Sequence, residues 1–395
     1  MSARHERIRA AFSGRWPDRI PVLEQSFASS VASEVLGREV TTGSTDVHYA
    51  EAEAWLKGDS AHEEFVDKLY EDCVALHRAM DFDILCLPWR MGGRPTRRLE
   101  KHTILYGDLD GDYWKVYRFD PSSRTYALAE SSEHGSFEEA VQTMRTALEH
   151  APSVTPRPQL NALLTRALAE HGDEFVVAGN SFLAVPMLSG WLEATILEPG
   201  LLADYLDLKV EEELTRLEAQ KEAGIYLIKG GGDFAFNTGP VYSPEFFEEV
   251  MAPRWKRLFD RCRELDLVYV MRSDGNLWPV ADSLFGEARP HGYYECDYDA
   301  GMHFGELRSR FPELVLMGNV SCRLLIEGTP DEVRRQTLEC IEAAAPRVVA
   351  ASANSVMHGT PVENVLALYE TAKSYDVKTH PSAEHAPGSD NEGAS

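Results

Sequence analysis

Residues 269–276 (YVMRSDGN) end an apolar run with three polar side chains, Arg272, Ser273 and Asp274. A cation and a carboxylate at the end of a buried strand can orient a charged ligand or move a proton. A single example of the pattern is also typical of a strand that leads into a solvated turn. The chemistry that this segment predicts therefore depends on how the other strands end.

The other predicted strands also end in carboxylates and amides. The polar residues at or near their ends are Glu24, Gln25, Asp83, Arg90, Asn180, Asp233, Asn237, Asn276, Glu295, Asp297, Asp299, Asn319, Ser321, Ser352, Asn354 and His358. Buried charges must be paired or bound to something, so an acidic ring containing Arg90 and Arg272 indicates one of two things. It is an ion-pair network, or it is a place for a cationic or metal-bound ligand.

Candidate roles follow from residue type. The candidate catalytic groups are the carboxylates of Asp83, Asp233, Asp274 and Glu295. The candidate substrate-binding residues are Arg272, Asn276, Arg90, Trp191, Asn237, Asn319, Asn354 and His358. No metal ligands are predicted among them. Any one of these residues can have a purely structural role, whereas the set as a whole favours function.

Short apolar runs alternate with longer amphipathic ones along most of the chain. The predicted strands are residues 19–23, 82–88, 175–179, 225–230, 267–271, 292–296, 314–318 and 347–352. Helical patterns lie between them, and two open with the capping signals Ser243-Pro244 and Thr329-Pro330. Eight buried parallel strands with covering helices predict an α/β fold, a closed (β/α)₈ TIM barrel. An open doubly wound sheet is the alternative.

Two regions depart from this rhythm. From about residue 103 to residue 130 the pattern has a period of two, with turn residues between the runs. This predicts an antiparallel β insertion after the second strand, either over the barrel mouth or as a surface hairpin without a catalytic part. The stretch from residue 376 to residue 395 is rich in Pro, Ser, Gly and acids, which predicts a disordered tail after a barrel domain of residues 1–375.

Composition excludes several classes of function. The formal net charge of −25 comes from 64 acidic and 39 basic residues, so binding to nucleic acid or to an anionic membrane surface is not expected. The six cysteines form no CxxC pair and are predicted to be reduced core thiols. No signal peptide or membrane span is recognisable. We therefore expect a soluble, cytoplasmic protein that binds a small molecule, with a homodimer as one candidate assembly.

Several motifs together resemble the uroporphyrinogen decarboxylase (URO-D) superfamily. They are RIPV, FDILCLP, GGDFAFNTGPVYSPEFFEEVMAP, SDGN, LMGNVSCRLLIEGTPDEVRRQTLECIEAAAP and TPVENVLALYETA. The resemblance covers most of residues 1–375, is strongest from about Gly230, and itself implies a (β/α)₈ barrel. The superfamily includes decarboxylases and cobalamin-linked methyltransferases. The family's catalytic aspartate lies in an FSDILVVP-like strand, which implies that role for Asp83.

Motifs of both branches are altered in this chain. The arginine-rich segment that grips the porphyrinogen in true decarboxylases corresponds here to VLEQSFASSV, which has no arginine, and this argues against that substrate. The thiol-methylating branch binds zinc through HxCG at the fifth strand and a cysteine at the eighth. Arg272, Asp274 and Asn354, or a near neighbour of Asn354, stand at those positions. A zinc-thiolate site of the family type is therefore not expected.

The resemblance implies an enzyme similar to the corrinoid-linked methyltransferases, acting on a small methoxylated or methylamine-type substrate without zinc-thiol activation. No tightly bound cofactor is expected, and a partner protein carrying a corrinoid would dock over the mouth. A first alternative is a decarboxylase, that is, a carboxy-lyase, of a small acid that uses Asp83, with Arg272 or Arg90 holding a carboxylate. A second alternative is a ligand-binding barrel without catalysis.

Overall fold

The computed structural model describes residues 2–153 and 155–380. Its strands are β1 (Ile84–Leu85), β2 (Arg97–Glu100), β3 (Thr103–Gly107), β4 (Trp114–Asp120), β5 (Thr125–Ser131), β6 (Val176–Phe182), β7 (Leu227–Gly231), β8 (Ala235–Phe236), β9 (Gly239–Pro240), β10 (Val268–Arg272), β11 (Gly292–Tyr294), β12 (Val315–Val320) and β13 (Val348–Ser352). Seven of these form one parallel sheet in the order β1-β6-β7-β10-β11-β12-β13. The fold is therefore α/β with a TIM-like parallel sheet, and each of the seven strands overlaps a predicted one.

The predicted first strand, residues 19–23, is the exception. It forms only an isolated parallel bridge between Val22 and Ala350 of β13. The backbone N–H of Leu23 donates to the carbonyl of Ala350 at 3.2 Å, and the carbonyl of Val22 accepts from the backbone N–H of Asp83 at 2.9 Å. This short segment thus lies between β13 and the start of β1, and it joins the two edges of the sheet.

The helices are α1 (Ala3–Ser13), α2 (Ser29–Leu36), α3 (Asp46–Lys57), α4 (Asp59–Met80), α5 (Phe137–Glu149), α6 (Ala162–His171), α7 (Ser189–Leu197), α8 (Pro199–Glu222), α9 (Pro244–Phe246), α10 (Ala252–Glu264), α11 (Phe304–Arg310), α12 (Cys322–Glu327), α13 (Pro330–Ala344) and α14 (Val362–Ser374). The predicted caps are confirmed, because the hydroxyls of Ser243 and Thr329 accept from backbone N–H groups at the starts of α9 and α13. No described helix is long and apolar enough to cross a membrane.

Successive side chains along each strand point to opposite faces of the sheet, and this produces two apolar layers. Leu227 of β7, Val268 and Val270 of β10 belong to a small inner cluster that also contains Ile8 of α1. Their neighbours along the same strands pack outward against the helices in a much larger cluster. Because α1 contributes Ile8 to the inner cluster, this helix covers the N-terminal end of the sheet, and the C-terminal strand ends form the opposite, open end. We call that end the mouth.

Strands β2 to β5 form a separate antiparallel sheet. Ile104 and Tyr126 of this sheet pack with Ala52 of α3 in a cluster of their own. Arg124 also forms an ion pair with Asp46, at the start of α3. The sheet is therefore anchored to α3 through its own apolar contacts and through this ion pair.

The predicted tail begins within packed chain. Residues Val377–Thr379 form a 3₁₀ turn, Val377 is buried, and the imidazole of His380 packs against the ring of Trp16. The rest of the predicted tail, residues 381–395, lies outside the described residues. Two side chains that follow the predicted boundary at residue 376, Val377 and His380, are thus buried against the fold.

Candidate active site

Arg272 and Glu295 form the centre of the mouth. Arg272 is the last residue of β10 and shares its inward face with Val268 and Val270. Glu295 follows β11, the next strand of the sheet. Nη1 of Arg272 donates to Oε1 of Glu295 at 3.0 Å, which makes a charge-assisted hydrogen bond between neighbouring strand ends.

Only one oxygen of Glu295 is occupied. Oε1 accepts from Arg272 and from the side-chain amide of Gln25, whereas Oε2 is buried and has no hydrogen-bond partner among the described residues. The residue is 2% exposed, and its backbone is left-handed with φ of 64°. Such a conformation costs on the order of 1–3 kcal/mol for a residue other than glycine, and it is frequent at functional sites.

Burial raises the pKa of Glu295 to about 7, and the nearby carboxylates of Asp233 and Asp274 act in the same direction. Arg272 and Gln25 act in the opposite direction without cancelling the effect of burial. The carboxyl group of Glu295 therefore changes protonation near neutral pH. A side chain with this property can give or take a proton during a reaction.

Asp274 is the second perturbed carboxyl of the mouth. Burial and the carboxylates of Asp233 and Asp297 raise its pKa to about 6. Its Oδ2 accepts from Nδ2 of Asn354 at 3.0 Å, a bond that favours the charged form. Asn354 follows β13, so this bond joins two strand ends that are far apart in the sequence. Three positions predicted to converge, Arg272, Asp274 and Asn354, therefore surround one mouth.

Lys229 and Gln25 complete the mouth. Lys229 lies on β7 with the same inward face as Leu227, and its Nζ donates to Oε1 of Gln25 at 3.3 Å. The amide of Gln25 then donates to Glu295 and to the backbone carbonyl of Asn354. One amide side chain thus connects a cation on one strand with a carboxyl and a backbone group on two others.

A fully buried carboxyl lies beside this network. Glu24 accepts from the hydroxyl of Tyr294 at 3.1 Å and from the hydroxyl of Tyr369 at 2.7 Å. Burial raises its pKa, while these hydrogen bonds act in the opposite direction. The hydroxyl of Tyr294 also approaches the carbonyl of Asn354 at 3.3 Å. Glu24 is therefore linked to the mouth through a tyrosine and a backbone group.

Asp83 is not at the mouth, and its predicted catalytic place is wrong. It precedes β1, at the end of the sheet that α1 covers. Its carboxylate bonds Nη1 of Arg7 at 2.9 Å, Nη1 of Arg19 at 3.1 Å and the backbone N–H of Val22 at 2.8 Å. Every one of these partners belongs to the N-terminal segment of the chain. Asp83 therefore fixes that segment against the sheet.

Arg90 and Trp191 are also placed elsewhere. The guanidinium of Arg90 bonds the carboxylate of Glu51 on α3 and contacts the imidazole of His62, beside a separate cavity of about 340 Å³. Trp191 of α7 is buried in the outer apolar layer, with its ring 5.2 Å from that of Tyr205. Within the described residues neither side chain contacts Arg272, and their part in substrate binding stays a prediction.

The remaining predicted residues differ in what they contact. Asn319 is buried and holds the backbone of Cys296, Met302 and Phe304, so its amide is used inside the fold. The side chain of Asn276 accepts from the backbone N–H of Trp278 at 3.0 Å and thereby starts a 3₁₀ turn.

Three predicted residues lie on loops around the mouth. Asn237 is exposed in the turn between β8 and β9. His358 follows Asn354 on the loop after β13, and its Nδ1 is 2.8 Å from the hydroxyl of Ser30. Asp233 is exposed directly after β7, and its charge acts on the pKa of both Asp274 and Glu295. Of the predicted set, the structure gathers Asp233, Asp274, Glu295, Arg272 and Asn354.

Sequence reasoning gave no role to Lys229 and Gln25. A signal for Lys229 does exist, because it is a charged residue within the apolar run IYLIKG at a position that alternation turns inward. Gln25 is among the polar residues that follow the predicted strands, but an amide in that position does not indicate its partners. Its hydrogen bonds to Glu295 and Lys229 depend on the tertiary position of residues 21–23 between the two sheet edges.

The residues of the mouth do not fit a zinc-thiolate site. Arg272 occupies the first ligand position expected from the thiol-methylating branch, and a guanidinium stays protonated and cannot bind a metal. The side chain at the second position, Asp274, bonds Asn354 at the third. Within residues 2–153 and 155–380, no group of three or more His, Cys, Asp or Glu side chains is arranged to hold a metal ion.

Comparisons with known proteins agree with this architecture. The family model described as uroporphyrinogen decarboxylase (URO-D) matches residues 177–375, slightly more than half of the chain. The structure is similar to a methyltransferase from Methanosarcina mazei, with a TM-score of 0.62 and 18% identity over 93% of this chain and 97% of that chain. At that identity the likeness shows a shared fold. No curated protein matches the chain. The predicted family is confirmed, and the chain belongs to the uroporphyrinogen decarboxylase family.

Proposed function

We propose that this protein is a methyltransferase-type enzyme that removes a methyl group from a small substrate, with Glu295 as the general acid. The observation that carries the proposal is the free Oε2 of a buried carboxyl whose pKa is raised to about 7. At neutral pH a substantial fraction of this group holds a proton. Because Oε1 already accepts two hydrogen bonds, the proton is expected on Oε2, where a ligand can receive it.

The reaction needs such a proton. When an O–CH₃ bond or a neutral N–CH₃ bond breaks, the electron pair stays on the oxygen or nitrogen, which must then be protonated to leave readily. Glu295 supplies this proton and becomes a carboxylate, which Arg272 stabilises across the 3.0 Å contact. The methyl group passes to a nucleophilic acceptor. Asp274 and Asn354 border the same mouth and help to position the substrate.

A corrinoid carried by a partner protein is the proposed methyl acceptor. Phe182, Phe236 and Met357, which are 60%, 59% and 41% exposed, lie at or just after the ends of β6, β8 and β13. An exposed apolar rim of this kind fits the edge of a large flat ring. When bound, the corrinoid would supply a strongly nucleophilic metal centre for the methyl group.

A methyl-transfer assay tests the proposal. Small methyl ethers and methylamines are incubated with the protein and free cob(I)alamin, and the absorbance of the reduced cobalamin is followed. We expect turnover by the wild type and a loss of about 100-fold in Glu295→Gln, because removal of a general acid typically costs 10²–10⁴-fold. The matched control Glu306→Gln, on the exposed face of α11, should keep full activity.

Two other outcomes would overturn the proposal. Release of CO₂ from a small acid without methyl transfer would favour the decarboxylase, which the two cations Lys229 and Arg272 at the mouth could serve by holding a carboxylate. That reaction could not use Asp83 as expected, because Asp83 lies at the other end of the sheet. Tight binding of a ligand without any turnover would favour the non-catalytic barrel.

A further inference from the structure

Lys229 is a cation without a counter-charge. It is half-buried on the inward face of β7, where its Nζ donates to the neutral amide of Gln25 at 3.3 Å and contacts the thiol of Cys86. Among the described residues, no carboxylate oxygen lies within the 4.0 Å of its Nζ that defines an ion pair. A partly buried charge without a partner is unfavourable unless a ligand neutralises it. The position of Lys229 therefore indicates an anionic group of a bound ligand.

Arg272 adds a second positive charge near Lys229. Its neighbour in the register of β7 and β10 is Gly231, two residues beyond Lys229 on the same inward face. A guanidinium has five N–H donors, and in the described part of the chain the only hydrogen bond that it donates is from Nη1 to Glu295. The side chain is 31% exposed. Donors of Arg272 thus remain for the same anionic group.

The rim of the mouth has the opposite charge. Asp233, Asp274 and Asp297 form no ion pair with any described residue, and their mutual repulsion contributes to the raised pKa of Asp274. The buried, unpartnered Oε2 of Glu295 lies beside them and independently indicates that a ligand completes this site. Lys229 lies two residues before the end of β7, whereas Asp233 lies two residues beyond that end. Positive charge therefore lies deeper than negative charge.

Aromatic rings flank the acidic rim. Phe182 is paired with Gly231 at the end of β7, and the backbone of Phe236 accepts a hydrogen bond from Asn276 after β10. Both rings are more than half exposed. Aromatic faces attract cations. The rim thus combines carboxylates and rings, which together suit an ammonium group.

We infer that the substrate of this site is a small zwitterion whose carboxylate binds Lys229 and Arg272 and whose ammonium group lies among Asp233, Asp297 and the two phenylalanines. This inference rests on the proposed function and specifies its substrate class. The methylated atom would lie between the two charged groups, within reach of Glu295. A simple acid would be repelled by the rim, and a simple amine would leave Lys229 unpaired.

Binding of unmethylated probes tests the charge pattern without any reaction. Glycine, β-alanine and 4-aminobutanoate vary the separation of the two charges, and acetate, propionate, butyrate and the amines of the same chain lengths lack one charge each. Isothermal titration is performed with the full chain at pH 7. We expect at least one amino acid to bind at least about tenfold more tightly than the acid and the amine of its length. Equal affinity for acid and amino acid throughout the series would overturn the inference.

Two variants test which residue binds each charged group of the ligand. Lys229→Met should weaken the best amino acid and its acid about tenfold while leaving the amine unchanged, and Asp233→Asn should weaken the amino acid and the amine instead. Lys229→Arg keeps the charge and should retain most of the affinity. The matched control Lys221→Met, at the far end of α8, should change nothing. Equal losses for all three ligand types in Lys229→Met would show a merely structural lysine and overturn the inference.

The two proposals can fail separately. If the amino acid binds as expected but an analogue that carries a methoxy group between the same two charges donates no methyl group, the reaction is wrong and the charge pattern stands. If a neutral methyl ether is demethylated while no zwitterion binds, the reaction stands and the substrate class is wrong.

Discussion

Buried carboxyl groups have opposite environments at the two ends of the parallel sheet. At the N-terminal end, Asp83 is fully buried, and two guanidinium groups and a backbone N–H occupy its oxygens. At the mouth, Glu295 is equally buried, but one oxygen is free and only one cation lies beside it. Lys229 is connected to Glu295 through the amide of Gln25, and it forms no ion pair with any described residue.

This difference indicates that the carboxylate at the N-terminal end serves stability and that the carboxyl group at the mouth serves function. A carboxylate whose hydrogen-bonding capacity is used inside the fold holds elements together and has nothing left for a ligand. A carboxyl or a cation with unused capacity costs stability, and such groups gather where ligands bind. Substitutions at the two ends should therefore have opposite consequences.

The largest effect is expected from Asp83→Asn. This change leaves Arg7 and Arg19 without their shared carboxylate, and breaking a buried ion pair typically costs about 3–5 kcal/mol. The free energy of unfolding, measured in urea, should fall by that amount. Asp18→Asn removes a mostly exposed partner of Arg7 and should cost less than about 1 kcal/mol. Equal effects of the two changes would contradict the difference between the ends.

The next effect concerns activity at the mouth. With the methyl donor that the wild type accepts, kcat/KM should fall as pH rises above about 7, because Glu295 then loses the proton that it donates. Glu295→Gln should be about 100-fold slower near pH 6 and should lack this decline. A wild-type rate that rises through pH 7 and 8 would show that Glu295 is not the acid.

A smaller effect is expected on stability. Glu295 has a folded-state pKa of about 7, above its ordinary 4.5, so the unfolded chain loses the proton first as pH rises. Its contribution to stability is therefore complete below pH 4.5 and is lost as pH rises through 7, by about 3 kcal/mol in total. Relative to Glu295→Gln, the wild type should lose this much between pH 4.5 and 8 in urea unfolding. A constant difference between the two proteins would contradict the raised pKa.

The smallest effect is expected from Asn354→Ala. Loss of the 3.0 Å hydrogen bond to Asp274 should cost about 1 kcal/mol and raise the pKa of that carboxyl further above 6, because the bond favours its charged form. Unfolding in urea and titration of the isotope-labelled carboxyl by NMR measure the two effects. Asn237→Ala changes an exposed amide in the turn between β8 and β9 and should leave both unchanged. An unchanged or lowered pKa in Asn354→Ala would show that Asn354 does not stabilise the carboxylate of Asp274.

Sequence periodicity predicted the parallel strands and their helices because burial on both faces leaves a clear apolar pattern. It also brought Arg272, Asp274, Glu295 and Asn354 to one mouth, since polar residues after successive parallel strands share one end of the sheet. Asp83 was misplaced because it stands before its short strand, Ile84–Leu85, rather than after it. The same polar residue types occur before and after the strands. Only the exact strand bounds show at which end of the sheet a given residue lies.

The other features of the site that the sequence did not predict depend on contacts between segments that are distant in the chain. Arg90 is a charged residue after a strand, like Arg272, but its partner Glu51 lies on α3, and no periodicity predicts that pairing. Gln25 acts through a bond to Glu295 across 270 residues of sequence. Such contacts depend on tertiary packing, so a single sequence does not contain a local signal for them.

Direct titration of Glu295 tests the central claim most sharply. The infrared absorption of its protonated carboxyl is isolated as the difference between the wild type and Glu295→Gln and is followed from pH 4 to pH 9. We predict that this band persists through pH 6 and disappears with a midpoint of about 7. A midpoint at or below 4.5 would mean that Arg272 holds Glu295 as a simple carboxylate, and the proposed general acid would be contradicted.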